Sequence, residues 1–100
     1  MSASDHPGIP DASTGRSRRL EYWSSFLREN KFFHCAEVGV WKGDFSARML
    51  ADCPEIRQYL MIDSWRHLEG WDKPFNVSDS QFEEIYNEAL EKTEFATERR

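Results

Sequence analysis

Long apolar runs are missing from this sequence, and so are an excess of positive charge and any supply of cysteine. No stretch approaches the roughly 18 apolar residues of a membrane helix, and the N-terminus lacks the apolar core of a signal peptide. The expected location is the cytoplasm. Acids outnumber bases 18 to 13, for a net charge of −5, which argues against a binder of phosphate backbones, since that needs a basic face. Arg16, Arg18 and Arg19, and Arg99 and Arg100, fall toward the two ends and read as solvated termini rather than a nucleic-acid patch. Cys35 and Cys53 are the two cysteines, with neither metal-ligand spacing nor a disulfide framework. Cys35 sits in an apolar run and reads as a small buried hydrophobe. No membrane, nucleic-acid or metal partner is therefore expected.

One hundred residues allow a single small domain, with 39% hydrophobic and 31% charged residues. Residues 1–16, rich in proline, glycine and small polar residues, have little to bury and read as a disordered leader. Order is expected from about Ser17. Leu20, Trp23 and Leu27 recur at helical spacing with Phe26 beside them, and Asn30 is a plausible stop. "FFHCAEVGV" then reads as a strand buried on both faces, as in a parallel sheet. From Asp44 the period changes to that of a helix capped by Asp44 or Ser46 and closed by Pro54. "QYLMID", Gln58 to Asp63, is a second short strand. After an aromatic-rich loop, Ser78 with Gln81 and Ser80 with Glu83 both fit a capping box. The helix that follows carries Phe82, Ile85, Tyr86, Ala89 and Leu90 as an apolar stripe and ends near Thr93.

The order strand, turn, helix, strand over about 30 residues is that of a right-handed parallel crossover. Its turn, Glu37-Val-Gly39-Val-Trp-Lys-Gly43, is where a ligand would sit. Gly39 suits torsion angles that side chains disfavour, and Gly43 is expected to let the helix approach the strand. The helix N-terminus offers unpaired N–H groups. Asp63 lies twenty residues beyond Gly43 at the end of the second strand. Parallel strand ends are neighbours, so an acid there can accept from both hydroxyls of a ribose. A dinucleotide turn would need glycines where Trp41 and Asp44 stand. A phosphate loop fails too, because the glycine spacing is one short and Lys42 precedes Gly43.

"AEVGVWKGDFS" followed by "YLMIDSW" resembles the first two motifs of class I S-adenosylmethionine-dependent methyltransferases. The match is nearest to the branch reading E-[IV]-G-x-x-x-G-x-S and then I-D-[SP]-[WF], which includes sugar and small-metabolite O-methyltransferases. The resemblance spans about residues 18–95. It implies an α/β, Rossmann-like fold in which this chain is the N-terminal portion, helix-strand-helix-strand-helix with a short parallel sheet, incomplete. Residues 17–100 would form that half-domain. The resemblance implies S-adenosylmethionine as cofactor, with Glu37 and Gly39 along its methionine end, Gly43 at the turn, Asp63 on the ribose, and Ser64 and Trp65 near the adenosine. The acceptor would be a small molecule. No catalytic residue follows, because the family's later strands and acceptor-holding motif have no counterpart here, which suggests a truncated reading frame or fragment.

Ligand-free readings stand beside these. The two glycines serve any strand-to-helix turn, Asp63 serves as a turn cap, and Trp65 and Trp71 serve as loop packing. His34 reads as a satisfied core histidine, and His67, in the aromatic loop, is the better of the two for chemistry. A rival function is a non-enzymatic α/β module that forms homo-oligomers through an exposed sheet edge or the aromatic loop.

Overall fold

A computed structural model describes residues 14–100. The expected leader lies outside the described residues except for its last three positions, where the first helix already runs. The elements are α1 (Thr14–Asn30), β1 (His34–Val38), α2 (Asp44–Asp52), β2 (Gln58–Ile62) and α3 (Asp79–Lys92), with a short 3-10 turn at Glu94–Ala96. The chain is thus α/β, with three helices and a two-stranded parallel sheet whose register runs from His34 opposite Gln58 to Val38 opposite Ile62.

Met49, Leu50, Cys53, Ile56, Tyr59 and Ala96 form the core, with Leu20, Leu27, Cys35, Phe45 and Met61 packed around it. All of these lie on one side of the sheet. The expectation of strands buried on both faces is therefore corrected. Cys35 and Glu37 are half-buried while His34, Ala36 and Val38 are exposed, Val38 by 80%. Leu60 and Ile62, each 47% exposed, continue the same open face. His34 belongs to that face and is not a core histidine.

The inward stripe of α1 also differs from the expected one. Ser24 is 2% exposed whereas Trp23 is 39% exposed. A small residue lets α1 approach α2 closely, and its hydroxyl donates to Asp52 Oδ2 at 2.8 Å. Arg48 completes the clamp by donating to the same oxygen at 2.5 Å. Desolvation pushes the Asp52 carboxyl up, but these donors, with the charges of Arg48 and Arg28, outweigh it and hold the group below its ordinary value. Trp23 instead joins Tyr22 and Phe26 in an exposed aromatic cluster that Phe32 extends.

Capping is split between prediction and surprise. Ser78 and Gln81 form the complete capping box of α3, and the helix stops at Thr93. Helix α2 has no side-chain cap, because its N-cap is Gly43 in the left-handed conformation. Ser46 turns its hydroxyl to Glu37 instead. The reading of Arg99 and Arg100 as a solvated end is overturned. The Arg99 guanidinium donates to the carbonyls of Leu50 at 2.9 Å, Ile56 at 3.1 Å and Cys53 at 3.4 Å. These include carbonyls that the end of α2 leaves without helical partners. The Arg99 carbonyl in turn accepts from Tyr59 N–H at 2.6 Å, and Arg100 donates to the carbonyl of Leu90 and the hydroxyl of Thr93.

Candidate functional site: a cleft at the strand ends

Both strands of a parallel pair end on the same side, and the loops that leave them diverge there, which opens a crevice beyond their carboxyl ends. In this chain the loops are 39–43 and 63–77. Gly39 donates to the carbonyl of Ile62 at 2.8 Å, adding one rung to the sheet, and then turns with φ +85°. Trp41 and Gly43 also have positive φ, +59° and +87°. A bulky side chain in that region is strained and persists only where its surroundings fix it.

Asp63 is what fixes it. One carboxylate oxygen accepts from Trp41 N–H at 2.9 Å and the other from Trp65 N–H at 3.0 Å. Trp65 returns the link, its indole N–H donating to the carbonyl of Trp41 at 2.9 Å. The two loops are thus tied across the strand ends by one carboxylate and one indole. Asp63 acts as the turn cap that the ligand-free reading describes. Each oxygen nevertheless keeps acceptor capacity, since a carboxylate offers about four lone-pair sites.

Glu37 stands lower on β1. Its Oε1 accepts from the hydroxyls of Ser46 at 2.5 Å and Tyr59 at 2.7 Å. Burial pushes its carboxyl up, while these two donors and the charge of Arg19 oppose the shift. The Tyr59 phenol is driven well above its usual range, by burial first and then by its bond to Glu37.

The crevice has a volume of about 490 Å³, within the size range of small-molecule sites. Glu37, Gly39, Asp63 and Ser64 all line it. Gly43 is outside that lining, and the helix approach expected of it is corrected in its direction. The close approach that it permits is to α3, for a Cβ there would stand 2.8 Å from Ala89 Cα. Trp65 packs its ring against that of Tyr86, 5.0 Å away. The remaining wall comes from residues that no local motif announces. Trp41 meets Phe75 and Phe82 edge-on, with centroids 5.5 and 6.0 Å away. Arg19 reaches in from α1, its guanidinium 5.0 Å from the centre of the Phe45 ring. Trp71 lines the crevice too, whereas His67 is held in the loop by Val77 and Asp79. Asn76 staples that loop through Leu68 and Trp71.

The cleft therefore combines aromatic walls with the carboxylates of Glu37, Asp44 and Asp63 and the cationic side chains of Arg19, Lys42 and Arg66. Such a lining suits a flat, apolar body that bears hydroxyls and charges of both signs. Among the described residues no cluster of three metal-ligating side chains occurs, and no helix is long and apolar enough to cross a membrane. Comparison with protein-family models, curated proteins and solved structures returns no match.

Proposed function

We propose that this chain is the cofactor-binding half of a Rossmann-like, class I methyltransferase domain that uses S-adenosylmethionine to methylate a small molecule. The observation that carries the reading is the cleft at the shared ends of the two strands, with Glu37, Gly39, Asp63 and Ser64 on its wall. The lining suits the cofactor's chemistry: a ligand bearing both a sulfonium and an amino-acid group meets carboxylates and cations, and a nucleoside base meets aromatic rings.

S-adenosylmethionine supplies an electrophilic methyl group on a sulfonium. The chain's own residues would bind and orient it. Asp63 would accept from ribose hydroxyls with the lone pairs that Trp41 and Trp65 leave free. Gly39, with open space where a Cβ would stand, allows close approach to the backbone. Ser46 and Tyr59 hold one oxygen of Glu37, and the other would be left for the ligand's methionine end. Methyl transfer then depends on presenting the acceptor nucleophile in line with the sulfonium, which is largely a matter of positioning. No residue is assigned to the acceptor.

Tryptophan emission tests the reading, because Trp41 and Trp71 line the cleft. Titration with S-adenosylhomocysteine is expected to change it saturably, and titration with NAD to leave it unchanged. An emission indifferent to S-adenosylhomocysteine contradicts the proposal.

The open sheet face favours a second reading, a module that self-associates. Ala36, Val38, Leu60 and Ile62 form an apolar surface that nothing among the described residues covers. Such a module would form an oligomer that Val38→Lys disrupts and S-adenosylhomocysteine does not affect, as light scattering would show.

A further inference from the structure

Arg19 belongs to a run that reads as a solvated end, yet it enters the wall of the cleft while its neighbour Arg18 lies on a separate surface groove. The guanidinium carbon lies over the Phe45 ring, 5.0 Å from its centre. A cation–π contact of this kind restrains the guanidinium and leaves donors free for a planar anion. Among the described residues Arg19 has no carboxylate partner in an ion pair. Its charge nonetheless bears on Glu37, which lines the same cleft. Glu37 has one oxygen committed to Ser46 and Tyr59, and the other has no hydrogen-bond partner among the described residues.

A restrained guanidinium and a half-committed carboxylate lining one cavity form a pair of opposite charges. A free α-amino acid group is the complementary pair, with a carboxylate for arginine and an ammonium for glutamate. We propose that Arg19 anchors the α-carboxylate of the ligand's amino-acid end and is the residue by which the cleft selects ligands that carry one. The inference rests on the cofactor reading above and adds to it a residue from α1, outside the turn and strand motifs. Lys42 and Arg66 also line the cleft, but they belong to the two strand-end loops, on the side where Asp63 and Ser64 stand. A nucleoside seated at Asp63 would extend its sulfur-bearing chain past Gly39 toward Glu37 and Arg19.

Calorimetry on the full chain, with S-adenosylhomocysteine and with its analogue lacking the carboxylate, tests this. A charge-assisted, bidentate contact corresponds to roughly a 10- to 100-fold affinity difference. The wild type is expected to prefer the carboxylate-bearing ligand by that factor. Arg19→Ala should bind the two ligands equally, at the affinity the wild type has for the analogue. Arg19→Lys should retain part of the preference, and Arg18→Ala all of it. A wild type that binds both ligands equally, or an Arg19→Ala protein that keeps the preference, overturns the role of Arg19 and leaves the cofactor reading standing. A wild type that binds neither overturns both. The ligand-side comparison needs no variant, so a folding defect cannot imitate the result.

Discussion

Gly43 lies against Ala89 so closely that a Cβ on the glycine would stand 2.8 Å from the alanine Cα. The contact locks the start of α2 to α3. Lys92, reaching from α3 to Asp44 at 2.7 Å, closes the same junction from outside. The glycine that a motif reading assigns to a ligand turn is thus first a helix-packing residue.

Gly39 and Gly43 share nearly the same φ, +85° and +87°, but only Gly43 has a neighbour in the way. Alanine at either site meets the left-handed strain of about 1–2 kcal/mol. Alanine at Gly43 must in addition displace the backbone of α3. Urea denaturation should show Gly39→Ala losing about 1 kcal/mol and Gly43→Ala losing clearly more, by about 1–3 kcal/mol, as in overpacked cores. Equal losses would show that α3 yields freely.

Arg99 makes three charge-assisted bonds to carbonyls around the end of α2. Hydrogen bonds to charged groups are worth about 1.5–3 kcal/mol for a well-made contact. Arg99→Ala is therefore expected to destabilise the protein by about 2 kcal/mol. A change within about 0.5 kcal/mol, as for an ordinary surface site, would restore the solvated-end reading.

Glu37 gives stability a pH dependence of defined sign. Burial raises its carboxyl above the ordinary value, so the folded state binds more protons than the unfolded state within that window. Its contribution to stability falls as pH rises through the ordinary carboxylate range to the raised value, and stays low above it. Glu37→Gln keeps an acceptor for Ser46 and Tyr59 and cannot ionise. The melting temperature of the variant minus that of the wild type should be more positive at neutral pH than near about pH 4, the unperturbed carboxylate range. A difference that is flat or reversed with pH contradicts the burial of the charge.

Asp63→Asn separates the clamp from the ligand. An amide can accept from only one of Trp41 and Trp65 and turns a donor toward the other. Thermal unfolding should show a loss of about 1–3 kcal/mol, the cost of one unsatisfied buried group. A wild-type melting temperature would mean that the loops are held by other contacts.

The parts legible in the sequence are those fixed by local chemistry. The Ser78–Gln81 box marks the start of α3 because capping involves residues three apart. The two glycines and Asp63 mark the strand ends because turns and caps are local too. What was hidden depends on which elements meet. Trp23 and Ser24 both fit an amphipathic helix, and only the approach of α2 selects the serine. The strands carry apolar residues on both faces, yet the described helices cover one. Arg19 and Phe45 have no motif in common, since α1 packing on α2 is what brings them together. Arg99 resembles any terminal arginine until its carbonyl partners are in place.

The central claim, that the strand-end cleft is a cofactor half-site, is tested most directly by amide NMR of the labelled chain with and without S-adenosylhomocysteine. The account predicts a dispersed spectrum in which saturable shifts concentrate at Gly39, Trp41, Asp63 and Ser64 and leave the open sheet face at Val38 and Leu60 unmoved. A dispersed spectrum that ignores the ligand, or shifts confined to that open face, would contradict it.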